Sequence, residues 1–478
     1  MARDKFYPKE RITLKFCVLI ACCVLLAGLG ISASFTFTQV VSLVIFASSV
    51  IATLLFWDFR VAIAFWGIAV LVLTKTIDIE HLVLFSSLEV ILFLVGMMVI
   101  VGLLREANVF NWILCRLLTL KNMHARKLIW ILSLTSALLA STVDEVTSIL
   151  FMVALVLQLA AFFEVNPIPL LIISVISTNI GSTGTVLGNP IGILIATKAG
   201  LTFEDFLIWA FPLMLLILVV VTSILLFWYK HYIKELDAKI KSHTDLDDSF
   251  RKLVCVPMTS EIRKELFIFV ATLAAIALHH RIEAAFNLTH NSLLLSMPLI
   301  FAGAIMVWRR DKAKDYIEKD VDWWTLIFFM LLFAKVGALK FTGVTDIFSN
   351  WIIKVANGSQ FFLTTFVLWA SAIGSSILDN VVLVATFIPV INGLKLQGIN
   401  VYPLWWALLF GGCLGGNITM VGSTANIVAL GFLEKKTKYF ISFFQWLRIG
   451  WVVGLISTLI VWFALIFLTP FMPSEIHN

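Results

Sequence analysis

Charge is scarce in this chain. Asp, Glu, Lys and Arg make up 13% of 478 residues, and hydrophobic residues 60%. A soluble domain cannot hide that much apolar surface, so a water-soluble globular class is excluded. Short segments of alternating polarity are also lacking, which excludes an outer-membrane barrel. Paired cysteine spacings are absent. Cys17, Cys22, Cys23, Cys115, Cys255 and Cys413 suggest neither a disulfide framework nor a Cys metal centre, and buried free thiols are expected. The long polar stretch, 229–263, holds no catalytic motif and reads as a solvated cytoplasmic linker. Neither a cofactor nor a nucleic-acid partner is called for.

What is present is a series of apolar runs long enough to span a bilayer as helices. Candidate spans are 16–32, 37–56, 61–76, 88–104, 168–198, 208–228, 264–280, 292–308, 323–339, 403–433 and 447–469. The basic head MARDKFYPKERITLK is long, which favours a retained first helix over a cleaved leader. Two spans are interrupted, 168–198 by GNPIG and 403–433 by GGNITMVGSTAN. Two further apolar regions, 128–163 and 361–395, are split by an Asp motif and read as re-entrant hairpins. Irregular backbone at membrane depth is tolerated where protein or water surrounds it. With the N-terminus inside, 28 Lys and Arg fall on cytoplasmic segments and 6 outside, with Lys335 left in the membrane. That bias supports eleven spans, two hairpins and an outside C-terminus.

The two halves resemble each other. GMMVIVGLLREANVF at 96–110 matches LLFAKVGALKFTGVT at 331–345, and LLASTVDEVTSILF at 138–151 matches AIGSSILDNVVLVA at 372–385. Gly102 to Gly337 and Asp144 to Asp379 are both 235 positions, and Asn179 is paired with Asn417 by a three-residue slip. An odd number of crossings per half inverts the second repeat, an architecture of secondary transporters. The expected organisation is an N-terminal helix (1–36) and a first repeat (37–228), with scaffold spans 37–104 and transport elements 128–228. The linker (229–263) leads to a second repeat (264–470), with scaffold spans 264–339 and transport elements 361–470.

Chemistry concentrates at the interruptions. STVDEVTS and SSILDNVVL place Asp144, Glu145, Asp379 and Asn380 at the hairpin tips. Ser141, Thr142, Thr147, Ser148, Ser375 and Ser376 add hydroxyl oxygens of the kind hard cations take. An Asp there also caps the helix that follows. Gly188, Pro190, Gly192, Gly415, Gly416 and Gly422 break the two long spans, and Asn179, Asn189, Asn417, Ser423, Thr424 and Asn426 supply side-chain ligands beside unwound carbonyls. The alternative at these glycines is close helix packing with Ser and Thr as glue. Lys335 either neutralises a carboxylate or snorkels to the interface. His279, His280 and His290 read as solvated loop residues.

At these residues the chain resembles the ion transporter superfamily. The branch is the one holding NhaD-type Na+/H+ antiporters, ArsB-type arsenite permeases and the melanosomal P protein, with a citrate-transporter-like fold. The segments carrying the likeness are STVDEVTS, STNIGSTGTVLGNPIGILI, VDWWTLIFFMLLFAKVGAL, SSILDNVVLVATFIPVI and GGNITMVGSTANIV, in order over nearly the whole chain. The resemblance implies an eleven-span protomer, a dimerising scaffold and a transport domain that moves like an elevator. Two positions depart from the family pattern: Glu145 stands where the family has an amide, and Lys335 where it has an apolar residue. The dicarboxylate branch has Ser-Asn-Thr at the tips, whereas Asp stands here and would repel such a substrate.

The expected function is a cation/proton antiporter, exchanging Na+ for H+ in a bacterial cytoplasmic membrane, with no enzymatic activity. Three bare carboxylates at mid-membrane would cost about 8–10 kcal/mol, so they hold a proton, a cation or a partner. Asp144 and Glu145 are the expected proton carriers. Asp144, Asn179, Asp379 and Asn417 are candidates for Na+, the one bound ion expected. A permease for a small neutral or anionic solute, such as arsenite, another oxyanion or an organic anion, is the alternative. An intramembrane aspartyl protease needs Gly-x-Gly-Asp, which neither tip offers. The expected partners are lipid, a small inorganic ion and a second copy in a homodimer, because spans 37–56, 61–76, 264–280 and 292–308 carry little charge and no breaking motif.

Overall fold

The computed structural model describes residues 9–56, 59–110, 112, 123–242 and 257–473. Cys115, Cys255 and linker residues 243–256 lie outside that set. All regular structure among the described residues is helical. Among the described residues seven helices are long and apolar enough to cross a bilayer, or eight if Ser260–Ala277 and His279–Phe286, bent by 59°, form one span. Shorter apolar helices include Phe37–Thr53, Arg60–Leu73, Ile168–Gly181, Pro190–Ala199, Ser292–Trp308 and Asn380–Leu396. The chain is a polytopic helical membrane protein.

Side-chain caps mark where several of the helices begin. The helices used below are α1 (Phe37–Leu55), α2 (Arg60–Leu73), α3 (Ala125–Thr142), α4 (Glu145–Phe162), α5 (Ile168–Gly181), α6 (Pro190–Ala199) and α7 (Lys230–Ser242). They continue with α8 (Trp323–Phe341), α9 (Gln360–Ile377), α10 (Asn380–Leu396), α11 (Tyr402–Gly415), α12 (Thr424–Lys436) and α13 (Phe443–Leu468). Thr36 and Gln39 form a capping box at the start of α1. Asn189 caps α6 through Gly192 N–H, followed by Pro190 at the first helical position. Ser423 caps α12 through Ala425 N–H.

The repeat appears in these boundaries. Ala125 to Gln360 and Glu145 to Asn380 are each 235 positions, and Ile168 to Tyr402 and Pro190 to Thr424 are each 234. Side chains keep the same interval. Thr185 Oγ1 donates to Ser141 O, and Thr419 Oγ1 donates to Ser376 O. A Cβ at Gly181 would lie 2.2 Å from Ala137 O, and one at Gly415 would lie 2.2 Å from Ala372 O. This register corrects the three-residue slip: Asn179 matches Cys413, not Asn417. A repeated Asn misleads because the break loops differ in composition while the helix contacts do not.

The described chain forms two compact units. One runs as far as Ile91 and includes Asp322–Ser359 and Ala385–Ile399. In it α1 and α2 pack on α8. Lys335 of α8 is 2% exposed and donates to Ser49 Oγ at 2.9 Å. A Cβ at Gly67 would meet Lys335 Nζ at 2.8 Å, so the missing side chain makes room for the amine. Lys335 neither snorkels nor, among the described residues, pairs with a carboxylate.

The other unit comprises Leu92–Val321, Gln360–Val384 and residues from Asn400 onward. Here α3 packs on α5 and α9 on α11. The linker is not wholly solvated: α7 buries Ile233, Leu236 and Ile240. It packs on α3, and its Asp237 accepts from Ala125 N–H at 3.1 Å. His279 is also not a loop residue, since it is 1% exposed with Nδ1 2.8 Å from Ile276 O. The run 292–308 contains Pro298, against which Gly96 packs. The helix Ser292–Trp308 runs on through Pro298, so the proline does not break that span.

Candidate functional site

The two Asp motifs fall at breaks between helices, and each Asp caps the helix that follows. Asp144 Oδ1 accepts from Val146 N–H at 2.8 Å and Thr147 N–H at 2.9 Å. Asp379 Oδ1 accepts from Val381 N–H at 3.0 Å, and its Oδ2 accepts from Thr424 Oγ1 at 2.8 Å. Both carboxyl groups therefore sit at helix N-termini, where free N–H groups need acceptors. Asp144 does so at φ 152° and ψ 162°, a region that is nearly glycine's alone and costs about 1–3 kcal/mol.

Glu145 and Asn380 face each other. They occupy equivalent first positions of α4 and α10, and Asn380 Nδ2 donates to Glu145 Oε1 at 3.5 Å. Glu145 is 2% exposed and Asn380 is 1% exposed. Glu145 Oε2 and Asn380 Oδ1 have no hydrogen-bond partner. Each of the two facing side chains thus keeps one buried acceptor without a partner, which suits a proton or a cation. Among the described residues no basic side chain pairs with Glu145 or Asp379.

A second cluster joins the broken spans. Asn179 Nδ2 donates to Asn417 Oδ1 at 2.9 Å and to Asn426 Oδ1 at 2.8 Å. Its Oδ1 accepts from Ser423 Oγ at 3.1 Å. Asn426 Nδ2 ties down Gly416 O and Thr419 O. In this arrangement the amides hold one another. Asn189 donates to Ser182 Oγ at 2.9 Å and Cys413 Sγ at 3.0 Å. A Cβ at Gly188 would lie 2.2 Å from Ser182 O, and one at Gly422 would lie 2.7 Å from Ser375 O. Both glycines let the loop lie on neighbouring backbone.

The flanking hydroxyls are engaged locally. Ser141 and Thr142 donate to Leu138 O, Ser148 to Glu145 O and Ser376 to Ile373 O. Ser375 donates to Gly412 O. Sequence reasoning missed Ser182, Cys413, Thr185, Thr419 and Trp446, whose Nε1 donates to Asn417 O at 3.1 Å. The Thr pair was findable from its 234-residue interval; Cys413 and Trp446 carried no polar pattern to find.

With this geometry described, likeness to known proteins gives the class. Residues 10–411 match the family model of citrate transporters, and the chain belongs to that family. An uncharacterized transporter of Mycobacterium tuberculosis is 31% identical over 375 residues, covering 77% of this chain and 83% of that protein. A 46 kDa membrane protein of Mycobacterium leprae is 32% identical over 380 residues, with the same coverage. The human P protein is 26% identical over 449 residues, and the match takes in 53% of its length. The chain is a transporter of this family.

Proposed function

We propose that the protein exchanges a monovalent cation, Na+ foremost, for H+ by alternating access. The observation that carries this reading is the meeting of Glu145 and Asn380, fully buried, with one unpartnered acceptor each. A lone anion there is too costly to persist, so the space takes a proton or a cation. Asp144 spends Oδ1 on the α4 N-terminus, which makes Glu145 the proton carrier of the pair. Asp379, with Thr424, coordinates the cation, and Asn179, Asn417 and Asn426 position it. The helix pairs α3–α4 and α9–α10 act as re-entrant hairpins of an inverted repeat, within an eleven-span protomer that dimerises and moves as an elevator. Each arm of 18 residues is about 27 Å long, so it runs tilted or begins outside the hydrocarbon.

The family's name favours a second reading, a carrier of citrate or another small organic anion. The acidic tips oppose it, since an anion would meet Glu145 and Asp379 without a paired basic group. The deciding test uses proteoliposomes holding a pH-sensitive dye. Added Na+ should move protons in wild type, and Glu145→Gln should stop that movement while Na+/Na+ exchange at equal pH persists. Uptake of labelled citrate or arsenite without any Na+-driven proton signal would sink the antiport reading.

A further inference from the structure

Among the described residues, five hydroxyls on α3 and α5 stand without a hydrogen-bond partner. They are Ser133 and Ser136 of α3 and Ser174, Ser177 and Thr178 of α5. All are 0% exposed. A buried hydroxyl left unpaired costs about 1–3 kcal/mol. Five in one region call for a physical reason.

They are also aligned. Ser174 and Thr178 stand four residues apart on α5, Ser182 continues the row four residues further, and Ser177 lies beside them. The contacts Ala137 with Gly181 and Ser141 with Thr185 advance together along both chains, so α3 and α5 run parallel. One turn back from the first contact lie Ser133 and Ser177. The second half shows what meets at that level: a Cβ at Gly411 would lie 1.9 Å from Ser371 Oγ and 2.6 Å from Leu368 O. By the repeat interval, Gly411 matches Ser177, Ser371 matches Ser136, and Leu368 matches Ser133. Ser177 of α5 therefore stands at the level of Ser133 and Ser136 of α3, with no direct hydrogen bond between them.

The row belongs to one half only. The five matched positions in the second half are Leu368, Ser371, Leu408, Gly411 and Gly412. Their single hydroxyl, Ser371, donates to Leu368 O at 3.0 Å. The half with the hydroxyls is the half whose break carries Glu145; the other carries Asn380. The row ends at Ser182, beside the break that carries Glu145, because Thr185 Oγ1 donates to Ser141 O at the end of α3.

We propose that this row, with bound water between its hydroxyls, conducts protons between Glu145 and the Ile168 end of α5. From Ser174 to Ser182 the row is about 12 Å long, at about 1.5 Å per residue. The carboxylic O–H of Glu145 passes its proton to the nearest water or hydroxyl. Each link accepts one proton and releases another, and a hydronium leaves at the far end. The carboxylate left behind is balanced by the arriving cation, and on this point alone the proposal rests on the antiport reading. From Ile168 to Ile173 the helix is apolar. Release therefore requires water to enter from that end, which makes the path gated.

The test is the double variant Ser177→Ala/Thr178→Val in the full-length protein, with Ser371→Ala as the matched control. Infrared spectroscopy follows the Glu145 carboxylic band, assigned as the band lost in Glu145→Gln, on transfer from H2O to D2O. Exchange should be slowed about tenfold or more in the double variant and unchanged in the control. In proteoliposomes Na+-driven proton movement should fall by a similar factor, while Na+/Na+ exchange at equal pH keeps its rate. The melting temperature should change little, because the hydrogen bonds removed are to water and not to other protein groups. Unchanged D2O exchange overturns the path, as does the absence of any such band in wild type at all pH values. If wild type moves no protons with Na+, the antiport reading fails, and the infrared result still decides the path.

Discussion

Replacing Gly181 or Gly415 by alanine should damage the protein far more than a helix-favouring substitution normally does. A Cβ at Gly181 would lie 2.2 Å from Ala137 O and 2.3 Å from Ala137 Cα. One at Gly415 would lie 2.2 Å from Ala372 O and 2.7 Å from Ala372 Cα. The opposing atoms are backbone, so no side-chain rotation relieves the clash. α3 must move from α5, or α9 from α11, by more than 1 Å to restore ordinary contact, about 3.5 Å between heavy atoms. Overpacking typically costs about 1–3 kcal/mol where side chains can adjust. Here the upper end of that range is the expected minimum. Gly303 and Gly431, also in helices, have open space where a Cβ would go. Alanine there should be neutral or gain up to about 1 kcal/mol from helix propensity. Thermal unfolding of the four purified variants in one detergent, followed by tryptophan fluorescence, gives the comparison. If Gly181→Ala melts with Gly431→Ala, the helices are not in backbone contact and the shared repeat geometry is wrong.

Other consequences follow from the same site. Thr424→Val removes a hydrogen bond to Asp379 worth about 1.5–3 kcal/mol. It should raise the KM for Na+ with little change in kcat, and Asp379→Asn should do so more strongly. Equal Na+ affinity in both variants and wild type would remove Asp379 from the cation site. Asn179→Leu leaves Asn417 Oδ1, Asn426 Oδ1 and Ser423 Oγ short of a partner, at about 1–3 kcal/mol each. A large drop in melting temperature is expected, and a drop no larger than that of Ser371→Ala would refute the locked amide cluster. At α7, the Lys241 ammonium and then the Ala125 N–H hold the Asp237 carboxyl below the usual carboxylate range. A depressed value contributes stability above the ordinary carboxylate value of about 4, lost as pH falls through the folded-state value. Asp237→Asn should therefore lower the melting temperature at pH 7, and the gap should close in acid; a gap independent of pH would show that the charge is not what matters.

How much of this was legible in the sequence differs from element to element. The breaks at Asp144 and Asp379 were readable because a carboxylate inside an apolar run has few uses other than capping or binding. The interruptions at 182–189 and 416–423 were readable from clustered Gly, Asn and Pro. Lys335 was not: its partners are Ser49 and a gap at Gly67, and nothing in an apolar run marks a serine as the acceptor for a distant lysine. The linker was misread because a charged sequence with Ile233, Leu236 and Ile240 at helical spacing can also dock one face.

The sequence by itself determined the class. Hydrophobic run lengths, set by the thickness of the bilayer, dictate a helical membrane protein, and the 235-residue interval dictates that it is built twice. An interval states which residues are equivalent, not which are adjacent. Adjacency is a matter of helix packing, so only the tertiary structure paired Glu145 with Asn380, matched Asn179 to Cys413, and bound Asn179, Asn417 and Asn426 into one cluster. Backbone contact at Gly181 and Gly415 sets the register of each helix pair, and every side chain of the site takes its place from that register.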